Sequence, residues 1–186
     1  MKRKIVVLGG GISGYGSAIL AKKKGFDVFL SDMGKIADKF KARLDEWSVE
    51  YEEGQHTEER ILDANEVIKS PGIPDTAPMV QKIRERGIPV ISEIEFAARY
   101  KGVAKTICIT GSNGKTTTTA LTGQIMEAYF ADVKVVGNIG IPYTSMALQT
   151  KEDTVTVAEI SSFQLETIHK FAPKVTAILN ITPDHL

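Results

Sequence analysis

The sequence predicts an α/β protein in which two successive units each alternate short strands with helices. Short β-rich runs bounded by turn residues are separated by longer stretches with apolar residues three and four positions apart. Two glycine-rich loops, at 9–14 and 110–116, each follow a β-rich run and precede a helical stretch. Such alternation is typical of βαβ units around a parallel sheet, and its restart at the second loop predicts two units.

Composition excludes several classes of protein. The chain has 186 residues, with 23 Lys and Arg against 23 Asp and Glu. Without a net basic field we expect neither nucleic acid nor membrane as a partner. No apolar run approaches the ~20 residues of a membrane span, and the one at the N-terminus ends in glycines before reaching the ~7 residues of a signal peptide core. We therefore expect a cytoplasmic protein, in which the single cysteine, Cys108, is a small buried residue.

In the first unit the pattern predicts strands and helices in alternation. The predicted strands are Lys4–Gly9, Asp27–Asp32, Glu66–Ser70 and Pro89–Ser92, and the predicted helices are Ile12–Lys24, Lys35–Trp47 and Ala77–Arg86. The first helix ends in three lysines, which suit the negative end of its dipole, and Gly25 stops it.

The second unit begins again near Ala104. A strand (KTICIT, 105–110), a glycine loop and a helix (Lys115–Tyr129) are followed by strands near VKVVGN, TVTVAE and VTAILN. We place the boundary between 95 and 104, which divides the chain into 1–98 and 99–186. The sequence stops soon after its final strand, without a helix to cover that strand, so we expect the second unit to be incomplete.

The first loop has the pattern Gly9-x-Gly11-x-x-Gly14, and Asp32 ends the next predicted strand. Glycines allow a tight turn and close approach of the backbone to a pyrophosphate, whose charge then lies at a helix N-terminus. An NAD site and a nucleotide-sugar site fit this loop equally well, and a purely structural turn fits less well. Asp32 is expected to bind a ribose hydroxyl, to contact another part of the nucleotide, or simply to end the strand.

A second turn, SPGIPD (70–75), follows another strand of the same unit. Ligands bind open α/β sheets at the carboxyl ends of their strands, so Ser70 and the backbone of Gly72 are expected at the same ligand. An ordinary proline-glycine turn explains these residues equally well.

The second loop, Gly111-Ser112-Asn113-Gly114-Lys115-Thr116, is typical of a phosphate-binding loop. We expect the backbone N–H groups from Ser112 to Lys115 to surround phosphates, Lys115 to neutralise β and γ oxygens, and Thr116 to bind Mg²⁺. The full signature has a glycine where this chain has Ile109. The strand-loop-helix context still favours a nucleoside triphosphate.

A magnesium ion needs further hard oxygen ligands. Glu159 follows a predicted strand at the same sheet edge and is the candidate, with a solvent-exposed strand end as the alternative. His185 is a weaker candidate, because imidazole is not a preferred ligand of magnesium. No role is predicted for His56 or His169.

Six motifs occur in an order that resembles the Mur ligases of bacterial cell-wall synthesis. They are GGGISG, SPGI, TGSNGKTT, GNIG (137–140), EISSFQLE (159–166) and NITPDH (180–185). The phosphate loop alone is shared with folylpolyglutamate synthases, whereas SSFQLE together with SPGI is similar to the branch that adds D-glutamate. The resemblance implies a Rossmann-like parallel-sheet domain at 1–98 and part of a P-loop-type α/β ATP-binding domain at 99–186.

The resemblance also implies a role for each motif residue. The UDP-sugar would contact Gly11, Ile12, Ser13, Gly14, Asp32, Ser70 and Gly72, with Asn138, Ser161 and Gln164 at its muramoyl part. ATP would contact Gly111, Ser112, Asn113, Gly114, Lys115, Thr116 and Thr117. Thr116, Glu159 and His185 would hold Mg²⁺, and Lys115, Glu159 and His185 would be catalytic. Met33 and Gly34 stand where family members often carry Thr-Arg after the aspartate, so this chain lacks those two side chains for contact with uridine.

The implied reaction is ATP-dependent addition of D-glutamate to UDP-N-acetylmuramoyl-L-alanine through an acyl phosphate, by a monomer. Because a third domain would receive the amino acid, we expect this chain alone to bind UDP-sugar better than ATP and to turn over negligibly. Two alternatives remain. One is an NAD-dependent oxidoreductase domain fused to a nucleotide-binding module, although no hydride-transfer site is visible. The other is a non-catalytic switch in which ATP changes the angle between domains.

Overall fold

The computed structural model describes residues 2–102 and 104–183. Its first sheet is five-stranded and contains β1 (Lys4–Leu8), β2 (Asp27–Asp32), β3 (Glu50–Glu53), β4 (Glu66–Lys69) and β5 (Val90–Ser92). The helices of this part are α1 (Ile12–Lys23), α2 (Asp38–Glu46), α3 (Glu58–Leu62), α4 (Pro78–Glu85) and α5 (Glu93–Ala98).

The strands of the first sheet pair in parallel, in the order β3-β2-β1-β4-β5. Val7 packs into a core on one face and Val6 and Leu8 pack into a core on the other, so both faces are covered. Because both faces are buried, β1 is an uninterrupted run of apolar residues after Lys4. The direction of winding reverses between β1 and β4, so the loops after these two strands flank the crevice where such sheets bind ligands.

The second sheet is four-stranded, parallel and ordered β7-β8-β6-β9. Its elements are β6 (Lys105–Thr110), α6 (Lys115–Glu127), β7 (Val133–Gly137), α7 (Tyr143–Met146), β8 (Val155–Glu159), α8 (Ser162–Leu165) and β9 (Val175–Ile178). Because β6 lies between β8 and β9, the loops after these three strands meet at one edge. Cys108 on β6 is buried as expected, and burial raises the pKa of its thiol to about 12.

Two buried carboxylates on α5 join the two sheets. Glu93 accepts hydrogen bonds from the Thr144 backbone N–H (2.6 Å) and hydroxyl (3.0 Å). One oxygen of Glu95 accepts hydrogen bonds from three successive backbone N–H groups at 169–171, at 3.0–3.1 Å. Helix α1 also packs tightly on α7, since a Cβ on Gly16 would lie 2.8 Å from Thr144 Oγ1. These contacts hold the two glycine loops in a defined relation.

The predicted fold class is confirmed, because both sheets are parallel and carry helices. The boundary at 98/99 stays a prediction. Helix α2 begins at Asp38 rather than Lys35, since the Ile36 N–H is bound to the Glu53 carboxylate (2.9 Å) and holds the chain extended. Within residues 2–102 and 104–183, no helix combines the length and apolar character that crossing a bilayer requires.

Candidate functional site

The first glycine loop is shaped by close packing at two of its glycines. Gly9 has a φ of +94°, and a Cβ added to Gly14 would lie 1.8 Å from the Gly9 carbonyl oxygen. Gly11 differs, because it is exposed, has an ordinary φ of −74°, and a Cβ there would meet nothing within 4 Å. Packing within the chain therefore explains Gly9 and Gly14 but not Gly11, and the contact of Gly11 with a ligand stays a prediction.

Asp32 holds this loop from the neighbouring strand. One carboxylate oxygen accepts a hydrogen bond from the Gly10 N–H and the other from the Gly34 N–H (2.7 Å). Asp32 therefore supports the loop, a role that the sequence did not predict, and its contact with a ribose or another part of the nucleotide stays a prediction. Beside it, Ile12 and Met33 are exposed, at 39% and 61% of their surface, and both are accessible to a ligand on this edge.

The SPGIPD turn lies against the first loop across the crevice. The Ser70 N–H donates to the Leu8 carbonyl (2.9 Å), and its hydroxyl lies 3.5 Å from the Gly9 carbonyl. The buried Lys69 ammonium donates to the Ile73 carbonyl (2.6 Å) and pairs with Asp75 (3.1 Å), which fixes the turn. Sequence reasoning missed Lys69, because a lysine at a strand end suggests an exposed side chain.

A cleft of ~680 Å³ lies between the two parts of the chain. Gly72 lines it from the SPGIPD turn of the first sheet. From the second sheet it is lined by predicted residues Gly111, Ser112, Lys115, Asn138 and Ser161. The structure thus brings three predicted UDP-sugar residues, Gly72, Asn138 and Ser161, and the phosphate loop to a common space. Residues 11–14, Asp32 and Ser70 do not line this cleft, and they lie at the carboxyl ends of β1, β2 and β4.

The phosphate loop joins β6 to α6 through two glycines with positive φ, Gly111 (+140°) and Gly114 (+83°). The Lys115 ammonium donates to the carbonyls of Gly111 (2.6 Å) and Ser112 (2.9 Å), so it lies within the loop that it is predicted to serve. Thr116 and Thr117 are exposed on the first turn of α6, at the positive end of the helix dipole. Anionic oxygens are favoured at this position.

Two of the four amides expected to surround phosphates are bound by Asn180. The Ser112 N–H donates to its backbone carbonyl (3.1 Å) and the Asn113 N–H donates to its side-chain oxygen (2.9 Å). In this structure the amides of Gly114 and Lys115 have no hydrogen-bond partner among the described residues, and a contact of all four amides with phosphate stays a prediction. Sequence reasoning gave Asn180 no role, since its contact with the loop depends on β9 pairing with β6.

Glu159 is buried at the end of β8, beside Ile109 of β6. Its Oε1 accepts a hydrogen bond from Asn138 Nδ2 (3.3 Å), whereas its buried Oε2 has no hydrogen-bond partner among the described residues. A buried carboxylate oxygen left unpaired is costly, and Mg²⁺ binds such oxygens, so the donor set of Glu159 and Thr116 fits this ion. In the described ranges no three His, Cys, Asp or Glu side chains cluster as metal ligands, and His185 lies outside those ranges.

Ser161 and Gln164 form a capping box at the start of α8. Gln164 Oε1 accepts hydrogen bonds from the Ser161 N–H (2.9 Å) and hydroxyl (3.1 Å), and the Gln164 N–H donates back to that hydroxyl (3.4 Å). Gln164 is buried, so it holds Ser161, which lines the cleft. A direct contact of Gln164 with substrate stays a prediction.

Two family models match the chain in the order of its two sheets. The MurD N-terminal domain matches residues 4–79, and the Mur ligase middle domain matches residues 109–186. Curated relatives named UDP-N-acetylmuramoylalanine–D-glutamate ligase are 55% identical in Bacteroides fragilis, over 99% of this chain, and 53% identical in Christiangramia forsetii, over all of it. The chain spans 41% of the length of each of these relatives.

Solved structures of related ligases share the fold. UDP-N-acetylmuramate:L-alanyl-gamma-D-glutamyl-meso-diaminopimelate ligase from Neisseria meningitides superposes with a TM-score of 0.64 at 19% identity, over 100% of this chain and 62% of that one. UDP-N-acetylmuramate-alanine ligase from Thermotoga maritima gives 0.60 at 22% identity, over 100% and 43%. The two matched family models and the similarity to these relatives show that this chain belongs to the Mur ligase family.

Proposed function

We propose that the chain contributes the UDP-sugar and ATP sites of a ligase that adds D-glutamate to UDP-N-acetylmuramoyl-L-alanine in peptidoglycan precursor synthesis. The observation that carries the proposal is the shared cleft, which Gly72 lines from one sheet and Lys115 from the other. Two phosphorylated molecules that must react are thereby given adjacent sites. The choice of D-glutamate rests on the names of the relatives, since no described residue identifies the amino acid.

The first loop is proposed to bind the diphosphate of the nucleotide sugar. The exposed Gly11 leaves room for phosphate oxygens at the N-terminus of α1, where the helix dipole favours negative charge. This contact lies away from the reacting carboxylate. Its contribution is to position that carboxylate in the cleft, because binding a remote part of a substrate reduces the entropy cost of the reaction.

The reaction proposed at the second loop begins with a carboxylate oxygen attacking the γ-phosphorus of ATP. The bond from that phosphorus to the bridging oxygen breaks, ADP leaves, and the carboxylate becomes an acyl phosphate. The neutral amine of D-glutamate then attacks the acyl carbon, phosphate leaves as the peptide bond forms, and the attacking nitrogen gives up one proton and keeps the other. Lys115 stabilises the charge that moves between phosphate oxygens, and the amides of Gly114 and Lys115 add donors.

Mg²⁺ would be held by Thr116 and Glu159, with His185 as a further candidate. It would supply a positive charge that offsets that of the phosphate oxygens. Asn138 orients the Glu159 carboxylate through its hydrogen bond to Oε1, which leaves Oε2 for the ion. A cytoplasmic location and a monomeric state belong to the same proposal, and so does negligible turnover of this chain in a D-glutamate-dependent phosphate-release assay.

The proposal is tested by titrating the chain with Mg²⁺-ADP and, separately, with UDP-N-acetylmuramoyl-L-alanine. We expect both ligands to bind. Lys115→Met should lower the affinity for ADP at least about tenfold, since charge-assisted hydrogen bonds contribute ~1.5–3 kcal/mol. The same variant should bind the UDP-sugar as the wild-type chain does. Absence of ADP binding, or equal loss of both ligands in the variant, would contradict two separate sites.

A further inference from the structure

The segment after β9 is bonded to the phosphate loop through side chains and backbone. Asn180 Oδ1 accepts from the Asn113 N–H (2.9 Å) and its Nδ2 donates to the Asn113 carbonyl (3.0 Å). The Ser112 hydroxyl lies 3.2 Å from the Thr182 carbonyl and accepts from the Thr182 N–H (3.0 Å). We call the contacts of Asn180 and Thr182 with Ser112 and Asn113 the loop clamp.

The clamp occupies both polar ends of the Asn180 side chain. An amide that accepts and donates on the same residue, Asn113, fixes that residue's peptide orientation at two points. The contact is also close in the backbone, because a Cβ on Gly111 would lie 3.1 Å from the Asn180 nitrogen and oxygen. A glycine at this position therefore serves the approach of the segment after β9 as well as the positive φ of the loop.

The middle of the loop has little support besides the clamp, since the Lys115 ammonium bonds only to the carbonyls of Gly111 and Ser112. Asn113 and Gly114 are exposed, and glycines give the segment conformational freedom that binding would have to remove. With the Ser112 and Asn113 amides engaged, the groups left to meet an anion are the Gly114 and Lys115 amides and the Lys115 ammonium. Fixing the first pair of peptides sets the direction of the second pair, which follows directly in the chain.

We propose that Asn180 is a positioning residue, which holds the phosphate loop in the conformation that binds nucleotide. The inference rests on the proposed ATP site and adds to it a residue from the segment after β9. It acts through Asn113 rather than through contact with phosphate. Preorganisation of this kind raises affinity by reducing the entropy lost on binding.

The test compares Asn180→Ala with the wild-type chain in three measurements. These are calorimetric Kd values for Mg²⁺-ADP and for UDP-N-acetylmuramoyl-L-alanine, and the exchange rate of the Asn113 amide by NMR. We expect the ADP Kd to rise about tenfold, as loss of two hydrogen bonds predicts, and Asn113 exchange to accelerate. The UDP-sugar Kd should not change, whereas a merely structural defect would weaken both ligands.

Asn65→Ala is the matched control. Its Oδ1 accepts from the Lys4 N–H (2.7 Å), so it is also an amide that binds backbone, but it precedes β4 at the amino ends of the strands, whereas the glycine loops follow their carboxyl ends. The control should leave the ADP Kd unchanged. Ser112→Ala removes the second half of the clamp while retaining Asn180, and we expect it to raise the ADP Kd about threefold.

The outcomes separate the inference from the proposed function. Unchanged ADP affinity in Asn180→Ala, with accelerated Asn113 exchange, would overturn the inference and leave the ATP site standing. If the wild-type chain binds no ADP, both are overturned. If Asn180→Ala does not fold, Asn180→Asp decides the matter, because its carboxylate can accept from the Asn113 N–H but cannot donate to the Asn113 carbonyl, and wild-type ADP affinity in that variant would overturn the inference.

Discussion

Replacing Gly14 by alanine should destabilise the chain through a single contact. The added Cβ would lie 1.8 Å from the Gly9 oxygen and 2.9 Å from the Gly9 carbon, both backbone atoms. Since carbon contacts are normally ~3.5 Å or longer, α1 must retreat from the loop by more than about 1 Å. Overpacking of this severity costs about 3 kcal/mol, and a chain of this size loses ~2–4 °C of Tm per kcal/mol.

The matched substitution is Gly11→Ala, three residues earlier in the same loop. Its Cβ meets nothing within 4 Å and its φ of −74° suits any residue, so stability should change by no more than about 0.5 kcal/mol. The two variants are compared by thermal unfolding and by titration with the UDP-sugar. We expect a Tm about 6–12 °C lower for Gly14→Ala, and a wild-type Tm with weakened binding for Gly11→Ala. A wild-type Tm for Gly14→Ala, or wild-type affinity for Gly11→Ala, would refute the reasoning.

Three further predictions concern buried groups. Burial raises the pKa of Glu93 from 4.5 to about 7, so the folded chain binds this proton more tightly and its stability falls as pH rises from 4.5 through 7. The free energy of unfolding, measured in urea, should be up to about 3 kcal/mol lower at pH 8 than at pH 5, and Glu93→Gln should remove this difference. An unchanged difference in the variant would contradict the raised pKa of Glu93. Glu159→Gln keeps an acceptor for Asn138 but loses the charge, so Mn²⁺ affinity measured by electron paramagnetic resonance with ADP present should fall about tenfold, and an equal affinity would remove Glu159 from the metal site. Cys108, with its pKa raised to about 12, should react with a thiol reagent about a hundredfold more slowly in the folded chain than in urea, whereas comparable rates would mean that the thiol is accessible.

The parts of the fold that the sequence predicts are those with strong local signals. β1 and β2 are apolar runs next to turn residues, and observed bounds agree with the predicted ones to within a residue. β3, with the sequence EYEE, is missed because it is an edge strand without an apolar pattern. The helices α3, α5, α7 and α8 are missed because four to six residues are too few for a periodic pattern.

The same distinction holds for the candidate site. Gly14 and Lys115 belong to motifs whose spacing is dictated by local geometry, and they occupy the expected loops. Asn180 escapes sequence reasoning because its partner, Asn113, is 67 residues away and becomes a neighbour only through strand pairing. A glutamate near the start of a helix, such as Glu95, is normally exposed. In this structure Glu95 is buried and accepts hydrogen bonds from backbone N–H groups more than 70 residues away in the sequence. The residue type of Asn180 or Glu95 therefore does not identify its hydrogen-bond partner, because that partner is distant in the sequence.

The central claim is that the first loop binds a nucleotide sugar and the second a nucleoside triphosphate. The most direct measurement is a calorimetric titration of the chain with UDP-N-acetylmuramoyl-L-alanine, and separately with NADH, in Mg²⁺ buffer. We predict binding of the UDP-sugar, its loss in Gly11→Asp, and no binding of NADH. Binding of NADH without binding of the UDP-sugar would contradict the account and make the first loop a dinucleotide site.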